Sequence, residues 1–237
     1  GNQSTGSAGL YQYDNASPST PGTPSCTPNP NNSGAHTCSW TASTDSQSGL
    51  ATYYVYQSLN GGAFQLASPA QPSPATNNTW GPSPVLGSGT YRYQVVAVDV
   101  VNRTATSGTS ADVVVDKNAP AIPVCTPGTG NYAGAQSVSC TSSDQGSPTT
   151  AVTVRYTIGA APGNPTCASP VFSNPTSVTP TTTLKAIACD AAGNQSSVAT
   201  FTYTLQASGE PAVSFAPATR PWASSTISVT PNATSPN

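Results

Sequence analysis

Gly89-Thr-Tyr91-Arg-Tyr93-Gln-Val95-Val-Ala97-Val-Asp99 is the stretch whose reading decides the fold. Tyr91, Tyr93, Val95 and Ala97 occupy alternate positions, so they share one face of an extended chain, and Val96 and Val98 take the other. Aromatic and β-branched residues at a period of two are the pattern of a strand packed on a core. Outward from it, Thr37-Cys-Ser-Trp-Thr-Ala42 and Thr52-Tyr-Tyr-Val-Tyr-Gln57 read as further strands. Asn60-Gly61, between Tyr56-Gln-Ser-Leu59 and Ala63-Phe-Gln-Leu66, predicts a hairpin, because this dipeptide tolerates the positive φ of a type I′ turn. Further on, Val152, Val154, Tyr156 and Ile158 share a face, as do Phe201, Tyr203 and Leu205.

The composition narrows the class. Only 6% of the 237 residues are charged, against about 25% in an average soluble protein. There is one Glu (Glu210), two Lys (Lys117 and Lys185), one His (His36) and no Met, while Pro is 24 residues. Helix formers this scarce exclude an all-α protein and an α/β enzyme with a parallel sheet. Six basic residues and a net charge of −2 argue against nucleic-acid binding. Disorder would account for the Pro and Ser content, but a low net charge with Tyr and Val in alternating runs points to a folded chain. No apolar run approaches the roughly 20 residues of a membrane-spanning helix.

Internal repetition sets the organisation. Gly1-Asn-Gln-Ser4 recurs as Gly193-Asn-Gln-Ser196, there following the alternating strand Leu184-Lys-Ala-Ile-Ala-Cys-Asp190. Tyr93 to Asn102 is a degenerate third copy. A strand follows each copy: residues 8–13, 112–115 and 198–205. Two of these run into Asp14-Asn-Ala-Ser-Pro18 and Asp116-Lys-Asn-Ala-Pro120. Domain ends therefore recur at roughly 90–100 residues. Residues 1–17 are expected to be the last strand of a preceding domain, 18–117 and 118–207 two complete domains, and 208–237 the first strands of a further one. On this reading the chain is cut inside a repeat array. About seven short strands per repeat, separated by Pro, Gly and Asn turns, predict all-β, tandem Ig-like sandwiches.

Six cysteines fall into three closely spaced pairs, Cys26/Cys38, Cys125/Cys140 and Cys167/Cys189, although six thiols allow 15 connectivities. Context favours the first two pairs. Pro-Ser-Cys26-Thr-Pro before Cys38-Ser is echoed by Pro-Val-Cys125-Thr-Pro before Cys140-Thr, as if each clamps two neighbouring strands at the start of a domain. Zinc is disfavoured, because there is no CxxC and His36 stands alone. Disulfides imply an extracellular or cell-surface location.

Cys38-Ser-Trp40, Gly49-Leu-Ala-Thr-Tyr53 and Gly89-Thr-Tyr91-Arg-Tyr-Gln-Val95-Val-Ala97 together resemble a fibronectin type III domain, with its core Trp and its alternating sixth strand. Residues 118–205 resemble the small Ig-like module at the C-terminus of chitobiases. The matching segments are Val154-Arg-Tyr156-Thr, Pro165-Thr, Pro170-Val-Phe172, Thr183-Leu-Lys-Ala-Ile-Ala188 and Gly193-Asn194. Cys167 and Cys189 depart from that module and are expected to form an additional staple. Such modules serve as spacers, adhesins and enzyme appendages alike, so the resemblance implies a fold and no chemistry.

Candidate reactive groups are sparse. Asp14, Asp45, Asp99, Asp112, Asp116, Asp144, Asp190 and Glu210 are scattered singly, and Asp99 and Asp190 end equivalent strands, where a carboxylate binds turn amides. Calcium at Asp14 or Asp116, helped by carbonyls and Asn side chains, is thinly supported by one acid per junction. Lys185 lacks the acid partner that an isopeptide bond to Asn requires. Of Tyr53, Tyr54, Trp80 and Trp222, half are expected to fill the core and the others to cover Pro-rich loops, with stacking on sugar rings as the lesser alternative. Asn-x-Ser/Thr occurs at Asn2, Asn15, Asn31, Asn77, Asn102, Asn194 and Asn232.

No catalytic residue, cofactor or metal is expected. The function expected is a structural segment of a secreted or surface-attached repeat protein: a stalk, an adhesin shaft or an extracellular filament. Its partners would be other Ig-like domains of the same or a neighbouring chain, in a homopolymer or bundle, with surface glycans as a further class. The competing expectation is a carbohydrate-binding appendage of a secreted glycoside hydrolase.

Overall fold

A computed structural model describes residues 13–67 and 78–206. Among these residues there are fifteen β-strands and no helix. In the N-terminal half, β1 (Ser25–Thr27), β2 (Thr37–Ser39) and β5 (Thr79–Trp80) form a three-stranded sheet in the order β1-β2-β5. The facing sheet runs β4 (Gln65–Leu66), β3 (Leu50–Leu59), β6 (Gly89–Asp99) and β7 (Thr104–Thr106), and β8 (Val113–Val115) also pairs with β6.

The stretch quoted first above is β6, the centre of this sandwich. Tyr91, Tyr93, Val95 and Ala97 are all buried on one face. They meet Trp40, Tyr53, Val55 and Trp80 in a single core, with Trp40 edge-on to Tyr53 at a centroid distance of 5.5 Å. β7 and β8 share β6 by dividing its length, and two serines carry the ladder between them. Ser107 and Ser110 each exchange bonds with β6: their amides donate to the Val95 and Tyr93 carbonyls, and their hydroxyls accept from the Val95 and Tyr93 amides.

The Asn60-Gly61 turn has φ of 51° and 76°, and Gly62 N–H closes it on the Leu59 carbonyl. The ladder, however, resumes only at Gln57 opposite Gln65, so the hairpin is wider than the sequence predicts. The turn is instead docked on β6. Asn60 N–H donates to the Thr90 carbonyl, and Thr90 N–H donates to Asn60 Oδ1.

The C-terminal sandwich repeats the plan. β9 (Val124–Thr126), β11 (Gln136–Thr141) and β13 (Thr176–Val178) form one sheet in the order β13-β11-β9. The other has the order β10-β15-β14-β12, from β10 (Gly130–Tyr132), β15 (Ala199–Leu205), β14 (Thr182–Asp190) and β12 (Val152–Gly159). β10 joins β15 in parallel, while the remaining pairs are antiparallel. The second core gathers Val138, Phe172, Val178, Leu184 and Tyr203, with Val154, Tyr156 and Phe201 packed against it. The apolar faces of β12 and β15 outrun this core, leaving Ile158 and Leu205 exposed.

Three disulfides staple the pair of sandwiches. Cys26–Cys38 and Cys125–Cys140 join directly opposed residues of β1–β2 and of β9–β11, with Cα atoms 3.9 Å and 4.1 Å apart. Cys167–Cys189 ties the loop after β12 to β14. There is no free cysteine. The strands predicted before residue 13 and beyond residue 206 lie outside the described residues.

Candidate functional site: two carboxylate triads

Acids that the sequence spaces singly are brought together by the fold. One carboxylate oxygen from each of Asp14, Asp45 and Asp99 lies within 4.8 Å of the other two, and the same holds for Asp116, Asp144 and Asp190. The two triads are built alike. One acid comes from the segment entering each sandwich, one from the loop after the strand bearing the second cysteine, and one from the end of a central strand.

The strand-end acids hold a turn. Asp99 Oδ1 accepts the amides of Val101 at 2.9 Å and Arg103 at 2.7 Å, while Asn102 sits at φ 69°. Asp190 Oδ1 accepts the Asn194 amide at 2.8 Å, and Gly193 sits at φ 98°. Asn102 thus occupies the place of Gly193, and Arg103 that of Asn194. The loop acids do similar work. Asp45 Oδ1 accepts from the amides of Gln47 and Gly49, and Asp144 accepts from the amides of Gln145 and Thr150.

The entering acids fasten each sandwich to the chain before it. Asp14 accepts the Ala16 amide on Oδ1, and the amide and hydroxyl of Ser48 on Oδ2. The Ser48 hydroxyl bond is the chief cause that draws the Asp14 carboxyl below its ordinary range. Asp116 is fully buried, with Asn118 on Oδ1 and Thr150 Oγ1 on Oδ2. The carbonyls of these acids are held in parallel fashion: Arg103 Nε donates to Asp14 O at 3.2 Å, and Asn194 Nδ2 donates to Asp116 O at 2.9 Å.

The triads differ in satisfaction. In the second, Asp190 Oδ2 is met by Asn194 Nδ2 at 2.8 Å, and Thr150 serves both Asp116 and Asp144. In the first, Asp99 is 1% exposed and its Oδ2 has no hydrogen-bond partner. Among the described residues the ion pair in contact is Arg92–Asp112, which is exposed and belongs to neither triad. No triad carboxylate among the described residues is in an ion pair, although the Arg103 charge acts on Asp14.

The other groups singled out in the sequence are dispersed. His36 is buried, with Nε2 2.8 Å from the Tyr93 hydroxyl and Nδ1 unpartnered, and burial lowers its pKa. Lys185 Nζ donates to Asn164 Oδ1 at an exposed site with no acid in the bond. Tyr53 and Trp80 lie in the core, where half of these aromatics are expected, and so offer no face to sugars: a period-two strand spends alternate aromatics on its interior. Tyr54 points outward at 37% exposure, and Trp222 lies outside the described residues. Asn31 is buried and binds the Val114 and Pro28 carbonyls, so its sequon is closed to a glycan. Asn15 and Asn102 are exposed, Asn194 is committed to the second triad, and Asn2, Asn77 and Asn232 lie outside the described residues.

Sequence reasoning missed Asp45 and Asp144 as partners of the junction acids. A signal existed, since each follows the strand of the second cysteine after a short Ser/Thr run, in Thr41-Ala-Ser-Thr-Asp45 and Thr141-Ser-Ser-Asp144.

Residues 127–200 match the chitobiase/beta-hexosaminidase C-terminal domain family. Among solved structures, the chain is similar to the FN1–FN3 domains of chicken CNTN1, with 15% identity, 84% of this chain and 71% of that one covered, and a TM-score of 0.36. It is also similar to the fibronectin(III)-like modules of Clostridium thermocellum CbhA (15% identity, 78% and 94% covered, TM-score 0.37). A two-domain fibronectin type III segment of chicken tenascin gives 11% identity, 76% and 96% covered, and a TM-score of 0.36. No curated protein matches the sequence.

Proposed function

We infer that the chain, tandem fibronectin III- and Ig-like modules stapled by disulfides, is part of an extracellular multidomain protein. We propose that it serves as a non-catalytic shaft segment of a secreted or surface-attached repeat protein, a stalk, adhesin shaft or filament. The observation that carries this reading is the anchored joint between the sandwiches. Asp116 leaves β8 fully buried, donates its amide to the Asn31 carbonyl of the first sandwich, and receives Thr150 and Asn194 of the second. A joint bonded on both sides, followed by buried Pro120, resists bending, which is what a shaft requires. The nearly uncharged surface supplies little repulsion between copies and so favours lateral association.

Small-angle scattering tests the joint. A fixed separation between the two sandwiches is expected, broadening in Asn194→Ala. A native distance distribution as broad as that of a freely hinged pair would sink the shaft reading. The family match at residues 127–200 supports a second reading, a carbohydrate-binding appendage of a secreted hydrolase. Retention on insoluble polysaccharide that Tyr54→Ala abolishes would favour it over the shaft.

A further inference from the structure

We propose that Asp14, Asp45 and Asp99 form a calcium site at the entrance to the first sandwich. Two independent features lead there. The first is convergence: three carboxylates from three separate segments place oxygens within 4.8 Å of one another. The second is the unmet oxygen, for Asp99 Oδ2 is buried with no partner although Oδ1 of the same group is held by two amides. A buried carboxylate oxygen without a donor costs folding free energy unless a cation meets it.

The hydrogen bonds prepare the groups for an ion. Oδ1 of Asp99 and Oδ1 of Asp45 each take two backbone amides, which fixes both planes and leaves the second oxygen of each outside those bonds. Asp14 is fixed by Ser48 and Ala16, and a carboxylate oxygen keeps lone-pair capacity beyond such bonds. Arg103 spends its Nε on the Asp14 backbone carbonyl, and its charge, after the Ser48 hydroxyl bond, helps to lower the Asp14 carboxyl. Three acids against one guanidinium leave a net negative pocket.

The donors are all hard oxygens, with no His or Cys in the group, which selects calcium or magnesium over zinc or copper. Three carboxylates anchored by separate loops suit the six to eight oxygens and adaptable geometry of calcium better than the strict octahedron of magnesium. Such an ion would lock the entering segment, through Asp14, to the loop of Asp45 and the turn of Asp99. The site stands whether or not the chain acts as a shaft, since it concerns a single sandwich and its entering segment.

The test is equilibrium dialysis of the full chain with radiocalcium, together with thermal melts in calcium and in chelator. Saturable uptake is expected in the range of extracellular modules, roughly 0.1–1 mM, with a higher melting temperature in calcium. Asp45→Asn and Asp99→Asn should each remove one ion and weaken that uptake at least about tenfold. Asp144→Asn, in the other triad, should leave that ion in place. Both acids hold backbone amides through Oδ1, which Asn retains, but Asp99 is fully buried and Asp45 is not, so Asp45→Asn is the decisive variant: its chelator melt should match the parent while its calcium response disappears. No uptake at about 10 mM calcium, uptake unchanged by Asp45→Asn, or equal response to magnesium would overturn the assignment.

Discussion

If the chain bears load, its disulfides fix how far each sandwich extends, and this can be worked out from the pairings. Residues between two bonded cysteines drop out of the path of force. Cys26–Cys38 withholds a separation of 12 residues, Cys125–Cys140 one of 15 and Cys167–Cys189 one of 22. At about 3.5 Å of contour per residue, less the Cα spacing already spanned, these correspond to ~38, ~48 and ~71 Å of withheld length. Single-molecule stretching of the oxidised chain should therefore show one sandwich shortened by ~38 Å and the other by ~48 and ~71 Å together, relative to the reduced chain. The order of release under mild thiol is also determined. Cys26 and Cys167 are each half-buried, whereas Cys125 and Cys140 are both buried, so attack by a thiolate reaches the ~48 Å loop last. Equal lengths before and after reduction would refute the reasoning. So would a first release of ~48 Å, because access would then not govern exchange.

Three further outcomes follow from the cores and turns. Trp40→Ala removes the ring that meets Tyr53 edge-on and should cost about 3–5 kcal/mol in urea melts, against which a loss under about 1 kcal/mol would show Trp40 to be peripheral. His36 has its pKa lowered by burial, so the unfolded chain binds its proton more readily. Its contribution is complete above the unfolded value of 6.5 and is lost as pH falls below it, giving a melting temperature that declines from pH 7 to 5. That slope should vanish in His36→Gln, and a slope of opposite sign would contradict the buried neutral ring. Gly61→Ala places a side chain at φ 76° with no atom within 4 Å, so its cost is conformational alone, about 1–2 kcal/mol by chemical denaturation. A neutral substitution would mean that the left-handed turn is not formed in solution.

Much of the fold was legible because strands announce themselves locally. The alternation in β6 named its buried face residue by residue, and the repeated cysteine contexts lie where β1–β2 and β9–β11 are clamped. Legibility failed where pairing, not pattern, decides. Asn60-Gly61 forms the expected turn, yet β3 and β4 rejoin late because Asn60 bonds to Thr90 on a strand 30 residues away. Tyr53 and Tyr54 are adjacent and chemically alike, but one fills the core and the other faces water.

Read by itself, the sequence determined the all-β class, the tandem repeat and the scarcity of reactive groups, because period, composition and self-similarity are properties of the chain alone. It presented the acids as isolated, since Asp14, Asp45 and Asp99 are separated by whole strands. Only the tertiary structure decided that they converge, and that one oxygen among them is left buried and unmet. The physical reason is that a carboxylate's environment is set by the segments folded against it, and those segments lie dozens of residues apart.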